Sequence, residues 1–478
     1  MKDSAIDLTR GNLLKNLIKL SLPIVISNFL QMFYNLTDVF WLGKLGDSAQ
    51  EAVSVAGMIF PLIFFLISFG FGFVVAGTSL VAQYKGADKP DKMRLVVGQF
   101  TVIIFIFTIV FVFISIFFIK DILHLLQTPE TIFQKAITYF TIILSGMPAL
   151  FIFLSFQSFA RGLGDTISPL KVQVLSILIN VVLDPILIFG VGFIPRMETT
   201  GAAIATLFAR VVAALVAIYF IRKNFAFILP KWKHIKPNKD MLKRIFKISV
   251  PASLGQSITS FGFLILQAFV NSYGVLIIST FSIGKRLTSF FMVPSMGISQ
   301  GLAAIVGQNI GANNIKRAEK SLLAAVVLTS AIMLIGCSFT FFFGAQLTRF
   351  FINSDQVIEL GKGMFKLLAI ASFFFSIAFV FMGVFNGAGH TKPVLFFSLI
   401  RLWILRLPLV YLLSGKLLES SLFQKDSLQK ILKYIAQPLA SHPYNALWWS
   451  MVISNIIITL LVINTYRKGK WKRARIND

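Results

Sequence analysis

Two carboxylates stand inside otherwise apolar stretches of this chain and are where it could do chemistry: Asp38, within 17–42, and Asp184, within 171–192. An ionised side chain at the centre of a hydrocarbon layer costs roughly 2.5–3.5 kcal/mol on insertion scales, so residues kept there usually mark function. Asn180 precedes Asp184 by one helical turn, and Tyr34 and Asn35 stand one turn before Asp38, so each acid shares a helix face with hydrogen-bonding groups. Two carboxylates facing each other where the dielectric is low cannot both stay ionised cheaply. Such a pair is fitted to take up and release a proton or, with Asn180 as a further ligand beside Asp38 and Asp184, a sodium ion. Pro185, directly after Asp184, lacks a backbone donor; it frees a carbonyl and gives the helix a natural hinge.

The remaining intramembrane charges singled out are basic. Lys285, Arg286, Arg401 and Arg406 fall inside apolar runs, with Pro408 placed much as Pro185 is. Snorkelling, or lining a wet vestibule, is the expectation for them, with steering of charge as the other reading. The seventh and tenth runs hold no Asp or Glu at mid-depth, which speaks against a second acidic cation site there.

The elements that must position these groups follow from composition. Hydrophobic residues make up 56% of the chain against 13% charged, with 51 Phe and a mean hydropathy of +0.81, outside the range of soluble domains. Runs long enough to cross about 30 Å of hydrocarbon as helices recur throughout. They lie at 17–42, 52–78, 95–119, 136–160, 171–192, 201–221, 246–271, 277–306, 321–345, 363–385, 394–414 and 447–466. The reading is an all-α polytopic membrane protein with twelve transmembrane helices, whose first span directs insertion in place of a cleaved signal peptide.

The net charge of +26 invites a nucleic-acid partner until the basic residues are located. Alternate connections, beginning with the N-terminus and ending with the C-terminus, carry 29 Lys and Arg, and the intervening ones carry 10. That bias predicts a plasma (inner) membrane protein with both termini cytoplasmic and no nucleic-acid partner. The segment 467–473 suits anionic headgroups, with Trp471 expected at the interface. One cysteine, Cys337, permits no disulfide within the chain, and His124, His234, His390 and His442 lack metal-ligand spacing. Without an intramembrane His beside an acid, a zinc motif or a nucleotide-binding loop, an enzyme is not expected.

Internal repetition organises the spans. Ser21-Leu22-Pro23 matches Ser249-Val250-Pro251, Gln83 to Ala87 matches Gln308 to Ala312, and Arg161-Gly162-Leu163-Gly164-Asp165-Thr166 matches Asn386-Gly387-Ala388-Gly389-His390-Thr391. These offsets define two pseudo-symmetric six-helix lobes: residues 1–221 with the cation site, a cytoplasmic basic linker 222–245, and 246–478 with the basic tail.

With Leu8-Thr9-Arg10-Gly11, Leu20 to Pro23, Asp38 and the stretch Asn180 to Pro185, these motifs resemble the multidrug and toxic compound extrusion (MATE) transporters over nearly the whole chain. The resemblance implies a V-shaped pair of bundles alternating between outward-open and inward-open states. It implies an antiporter exporting drug-like, mostly hydrophobic and cationic molecules against a proton or sodium current, as a monomer without a cofactor. In the branch whose acids lie in the N-terminal lobe, residues matching Asp38, Asn180 and Asp184 bind the cation together with a threonine that here matches Thr206. A lipid or lipid-linked oligosaccharide flippase of related two-lobe fold is the alternative. Between the last two spans, Leu428, Ile431, Leu432 and Ile435 recur at helical spacing, which predicts an outer amphipathic helix ending before Pro438.

Overall fold

The computed structural model describes residues 6–352, 354–416, 433–434, 437–439 and 442–473, and these form helices and turns. Twelve helices are long and apolar enough to span a bilayer: α1 (Leu13–Leu42), α2 (Gly46–Gly86), α3 (Pro90–Phe117), α4 (Glu130–Gly162), α5 (Ile167–Phe189), α6 (Glu198–Asn224), α7 (Lys239–Asn271), α8 (Val275–Gly311), α9 (Ile315–Arg349), α10 (Asp355–Gly387), α11 (Thr391–Leu413) and α12 (Asn445–Arg467). They coincide with the twelve apolar runs, most of them lengthened, because a helix continued past the hydrocarbon keeps its backbone groups paired where water is scarce. The first helix of each half starts alike: Asn12 accepts from the Lys15 amide at 3.0 Å, and Asn238 from the Met241 amide at 2.9 Å.

The packing repeats as the motifs do. In the first half α1 lies on α5, α2 on α4, and α6 on both α4 and α5; in the second α7 lies on α11, α8 on α10, and α12 on both α10 and α11. Gly164 (φ +82°) and Gly389 (φ +70°) occupy the same turn of the two repeats, a left-handed conformation that side chains with a Cβ avoid. The bundles meet where α1 crosses α8 and where α2 crosses α7 and α8. Between α2 and α3 on one side and α7 on the other runs the basic connection, which is ordered: Gln99 of α3 donates to the carbonyls of His234 at 2.7 Å and Lys236 at 2.8 Å. The last residues of the expected linker, from Lys239, already belong to α7.

At the end of the bundle that carries the termini, the two halves are sewn together by the repeated motifs. Gln83 Nε2 and Ser79 Oγ donate to the Gly387 carbonyl at 3.2 and 3.0 Å, while Gln308 Nε2 donates to the Gly162 carbonyl at 2.8 Å. A Cβ on Gly86 would strike the Gln308 carbonyl, and one on Gly311 would strike the Gln83 carbonyl, so the backbones touch reciprocally. Arg161 Nη1 adds a bond to Gln300 Oε1 at 2.8 Å. The N-terminal segment straps the seam, with the Ile6 amide on the Gly164 carbonyl at 3.3 Å and the Leu8 amide on Gln308 Oε1 at 3.2 Å.

Trp471 corrects the sequence reading. It is fully buried and stacks on Tyr466 at 5.3 Å, because the turn Lys470–Arg473 folds back onto the second bundle instead of presenting the indole at the interface. The outer helix expected around Leu428 to Ile435 lies outside the described residues.

The reciprocal glycine contact generates a test. In a Cys337→Ser background, a cysteine replacing Ser79 should be protected from a membrane-impermeant maleimide, and adding Gly311→Val should raise its labelling rate several-fold by wedging the seam.

Candidate functional site

The N-terminal site begins with how α5 is anchored. Asp165 Oδ1 accepts the amides of Ile167 and Ser168, each at 3.0 Å, and Oδ2 accepts Ser168 Oγ at 2.6 Å, which fixes where the helix starts. Gln173 then pins α5 to α1 by donating to the Ser27 carbonyl at 3.1 Å and to Gln31 Oε1 at 3.2 Å. Gly201 lets α6 approach the Leu187 carbonyl with no Cβ between them, and Ser176 Oγ donates to the Ala209 carbonyl at 3.1 Å. The Asn180 and Asp184 face of α5 is thereby held against the outer part of α1 and the first turns of α6.

On that face the candidates converge. Asn180 Nδ2 donates to Asp184 Oδ1 at 3.0 Å and reaches Thr206 Oγ1 at 3.5 Å, while Tyr34 OH reaches the same Thr206 Oγ1 at 3.3 Å. The Asp38 carboxyl meets Asp184 and Asn180 side chain to side chain. Asn180 and Asp184 are wholly buried, and Thr206 nearly so. Three oxygens, Asp38 Oδ1, Asn180 Oδ1 and Asp184 Oδ2, are buried and receive no hydrogen bond. All are acceptors, so the cluster is short of positive charge or protons, not of more oxygen. Pro185 sits inside α5 immediately beyond. The side chain of Asn35 is outside the described residues.

Two further residues complete the surroundings, and sequence reasoning passed over both. Arg210, one turn beyond Thr206 on α6, exerts its charge on Asp38, Tyr34 and Tyr139, yet its Nη1 is buried without a partner and no acid lies within ion-pair distance among the described residues. Its signal was available: Arg210 is the only charge in the run 201–221. Tyr139 of α4, buried beside the same acids, had no signal, since a lone tyrosine in an apolar helix is ordinary packing.

The basic candidates divide. Lys285 and Arg286 are exposed on α8. Arg401 and Arg406 contradict the snorkelling expectation: they are 5% and 1% exposed, because in the π-helical stretch Ile400–Arg406 of α11 Arg401 packs on Phe375 of α10 and Arg406 bonds to Ser454 and Asn455 of α12. Among the described residues, no group of three or more His, Cys, Asp or Glu could hold a metal ion.

Comparison with known proteins agrees with this architecture. The MatE family model matches residues 23–186 and 251–412, one copy in each half. The probable multidrug resistance protein YpnP of Bacillus subtilis (strain 168) is 30% identical over 414 residues, covering 86% of this chain and 91% of that protein. The multidrug export protein MepA of Staphylococcus aureus (strain NCTC 8325 / PS 47) is 26% identical, covering 84% and 87%. A MATE crystal structure in complex with MaD3S superposes with a TM-score of 0.85 at 21% identity over 100% of both chains. The outward-facing conformation of a multidrug resistance MATE family transporter of the MOP superfamily does so at 0.83 and 23%, covering 98% of each. With both halves matched by the family model and a relative at 30% identity along most of its length, this chain belongs to the MATE family of multidrug efflux transporters.

Proposed function

We propose that the chain is an antiporter of the plasma membrane, with both termini cytoplasmic, that exports drugs or other toxic, mostly hydrophobic and cationic molecules in exchange for an entering proton or sodium ion. The observation that carries the reading is the set of three donor-less buried oxygens on Asp38, Asn180 and Asp184. A buried acceptor without a donor costs free energy that one cation arriving at all three would recover. Thr206 and Tyr34 supply the neighbouring hydroxyls. In the cycle, the outward-facing pair takes the cation, the helices of the N-terminal lobe, 1–221, rearrange about Pro185, drug leaves, and the lobes reset inward. The seam closed at the terminus-bearing end supports an outward-facing arrangement, with 222–245 tethering the lobe 246–478. Each chain carries a whole site, consistent with a working monomer. A flippase would need an open cationic cavity between the lobes; of the four basic residues that favoured one, Arg401 and Arg406 are packed within one lobe, while Lys285 and Arg286 are exposed on α8.

Arg210 limits the stoichiometry. With both acids ionised and Arg210 charged, the cluster carries one net negative charge, so one monovalent cation neutralises it. Exchange of a monocationic drug for one proton is electroneutral, and a pH difference of one unit then supports about tenfold accumulation, about 1.4 kcal/mol.

Three measurements test this. Asp38→Asn and Asp184→Asn should each lower efflux of a fluorescent lipophilic cation at least tenfold, with wild-type export abolished by collapsing one gradient only, which names the ion; undiminished efflux in both variants would overturn the site. Flux-ratio measurements in proteoliposomes should give one cation per drug for wild type and two for Arg210→Met. Asp184→Asn should also melt a few degrees higher than wild type at alkaline pH, where both wild-type acids are ionised and the substitution removes one of two facing negative charges. That gain should shrink as the pH falls and the wild-type pair takes up a proton.

A further inference from the structure

The second lobe buries positive charge as deliberately as the first buries negative. Arg406 Nε donates to Ser454 Oγ at 3.1 Å and its Nη2 to Asn455 Oδ1 at 2.6 Å. Asn455 cannot turn away, because its Nδ2 is engaged with the Ala371 carbonyl at 2.8 Å. Arg401 stacks its guanidinium on the Phe375 ring at 3.9 Å from the centroid, and its Nε is buried without a hydrogen bond. The two charges lie close enough to repel each other. In a π-helix the hydrogen bonds run from i to i+5, so residues five apart such as these stand on one face.

Nothing around them neutralises either charge. Neither arginine has an acidic partner within ion-pair distance among the described residues, and Ser454 and Asn455 are neutral. The helices packed against this stretch carry no ionisable side chain at its depth: α7 has none from Ile248 to Asn271, α10 none from Leu367 to Gly387, and α12 none from Asn445 to Thr465. Two guanidiniums enclosed in a membrane-spanning bundle without a counter-charge are costly unless an anion accompanies them. Neutral partners already take the Nε and Nη2 donors of Arg406, while Phe375 covers one face of Arg401, which leaves the edge of Arg401, with its unbonded Nε, to the ligand.

We propose that Arg401 and Arg406 form an anion-binding site inside the C-terminal lobe, taking one monoanionic group, a halide ion or the carboxylate of an organic acid. The site occupies the fifth helix of its repeat, as Asn180 and Asp184 occupy the fifth helix of theirs, so corresponding depths of the two lobes carry opposite polarity. Arg406 is the fixed arm, and Arg401, unbonded except to an aromatic face, is the arm that closes on the anion.

The test is direct binding to the purified full-length protein, which reads no transport and therefore stands or falls apart from the antiport reading. Sodium chloride and sodium benzoate are titrated separately at an ionic strength held constant with sodium sulfate, followed by thermal melting and calorimetry. Wild type should show saturable stabilisation by at least one of the two. Arg401→Met, which keeps the bulk and the contact with Phe375, should bind at least tenfold more weakly and melt no lower than wild type in sulfate alone, because the uncompensated charge is gone. Arg401→Lys keeps the charge and should bind with intermediate affinity. Saturation by chloride alone assigns a halide ion; saturation by benzoate, competing with chloride, assigns an organic carboxylate. Absence of a saturable response to both anions, or wild-type affinity in Arg401→Met, would overturn the proposal.

Discussion

Everything in this molecule answers to one constraint: between the two faces of a bilayer there is no water to satisfy a polar group, so each must find its partner within the protein. Twelve helices meet that demand for the backbone. Side chains meet it by returning bonds to helical carbonyls, as Thr259, Thr280 and Thr340 do, or by joining helices, as Gln173 joins α5 to α1. Against that background the atoms left without a donor or acceptor stand out. Many are single hydroxyls or amides scattered through both lobes, such as Ser21, Ser249, Thr329 and Ser376; the charged ones are the carboxylate oxygens of Asp38 and Asp184, beside Asn180, and the guanidinium nitrogens of Arg210 and Arg401. A lone hydroxyl without a partner costs little beside an uncompensated charge, so it is at the charged orphans that something else has to arrive.

The same constraint explains how two bundles can be joined and still come apart. Their contacts at the terminus-bearing end run largely from side-chain amides and hydroxyls to carbonyls at helix ends, Gln83 and Ser79 to Gly387 and Gln308 to Gly162. Carbonyls in the last turn have no helical partner to give up, so the bonds cost the helices nothing when they form and water can replace them when they break. Gly86 and Gly311 let the backbones approach closely at the seam, beside which Leu17 and Leu20 of the first half pack with Ile298 and Leu302 of the second. A duplicated half makes this seam self-complementary, each lobe offering the glutamine that the other's carbonyl receives.

How much could be read from the residues alone depended on how rare each signal was. Twelve spans were legible because apolar runs of this length, repeated along a chain, have little use outside a bilayer. The acids Asp38 and Asp184 were legible because a carboxylate in such a run is costly, and helical spacing then brought in Asn180 and Tyr34. Arg210 carried the same signal but was lost among 45 basic residues whose bulk marks topology. Tyr139 was illegible in principle, since only the packing of α4 beside α6 tells it from a structural aromatic. The burial of Arg401 and Arg406 depended on a π-helical stretch from Ile400, and helical periodicity presumes 3.6 residues per turn. Trp471 misled for a related reason: an aromatic amid lysines looks interfacial until the chain is seen to reverse and stack it on Tyr466.

The two lobes descend from one pattern and have kept its scaffold while diverging in the groups it carries. Proline follows the chemistry in both, Pro185 after Asp184 and Pro408 after Arg406, and the fifth helix packs on the first in each. What differs is the sign of the buried charge, and a buried charge is the one feature a bundle cannot alter by a small shift, because relieving it requires a counter-ion or a solvated path. On the two readings argued above, each lobe's preferred arrangement depends on its own occupant, a cation for the first and an anion for the second. Ligands that favour one arrangement of each bundle bias the seam between them, since α1, α2, α7 and α8 belong both to the lobes and to their interface. Coupling two sites through a shared interface needs no pathway of contacts from one to the other, only that closing the seam asks something of both bundles at once.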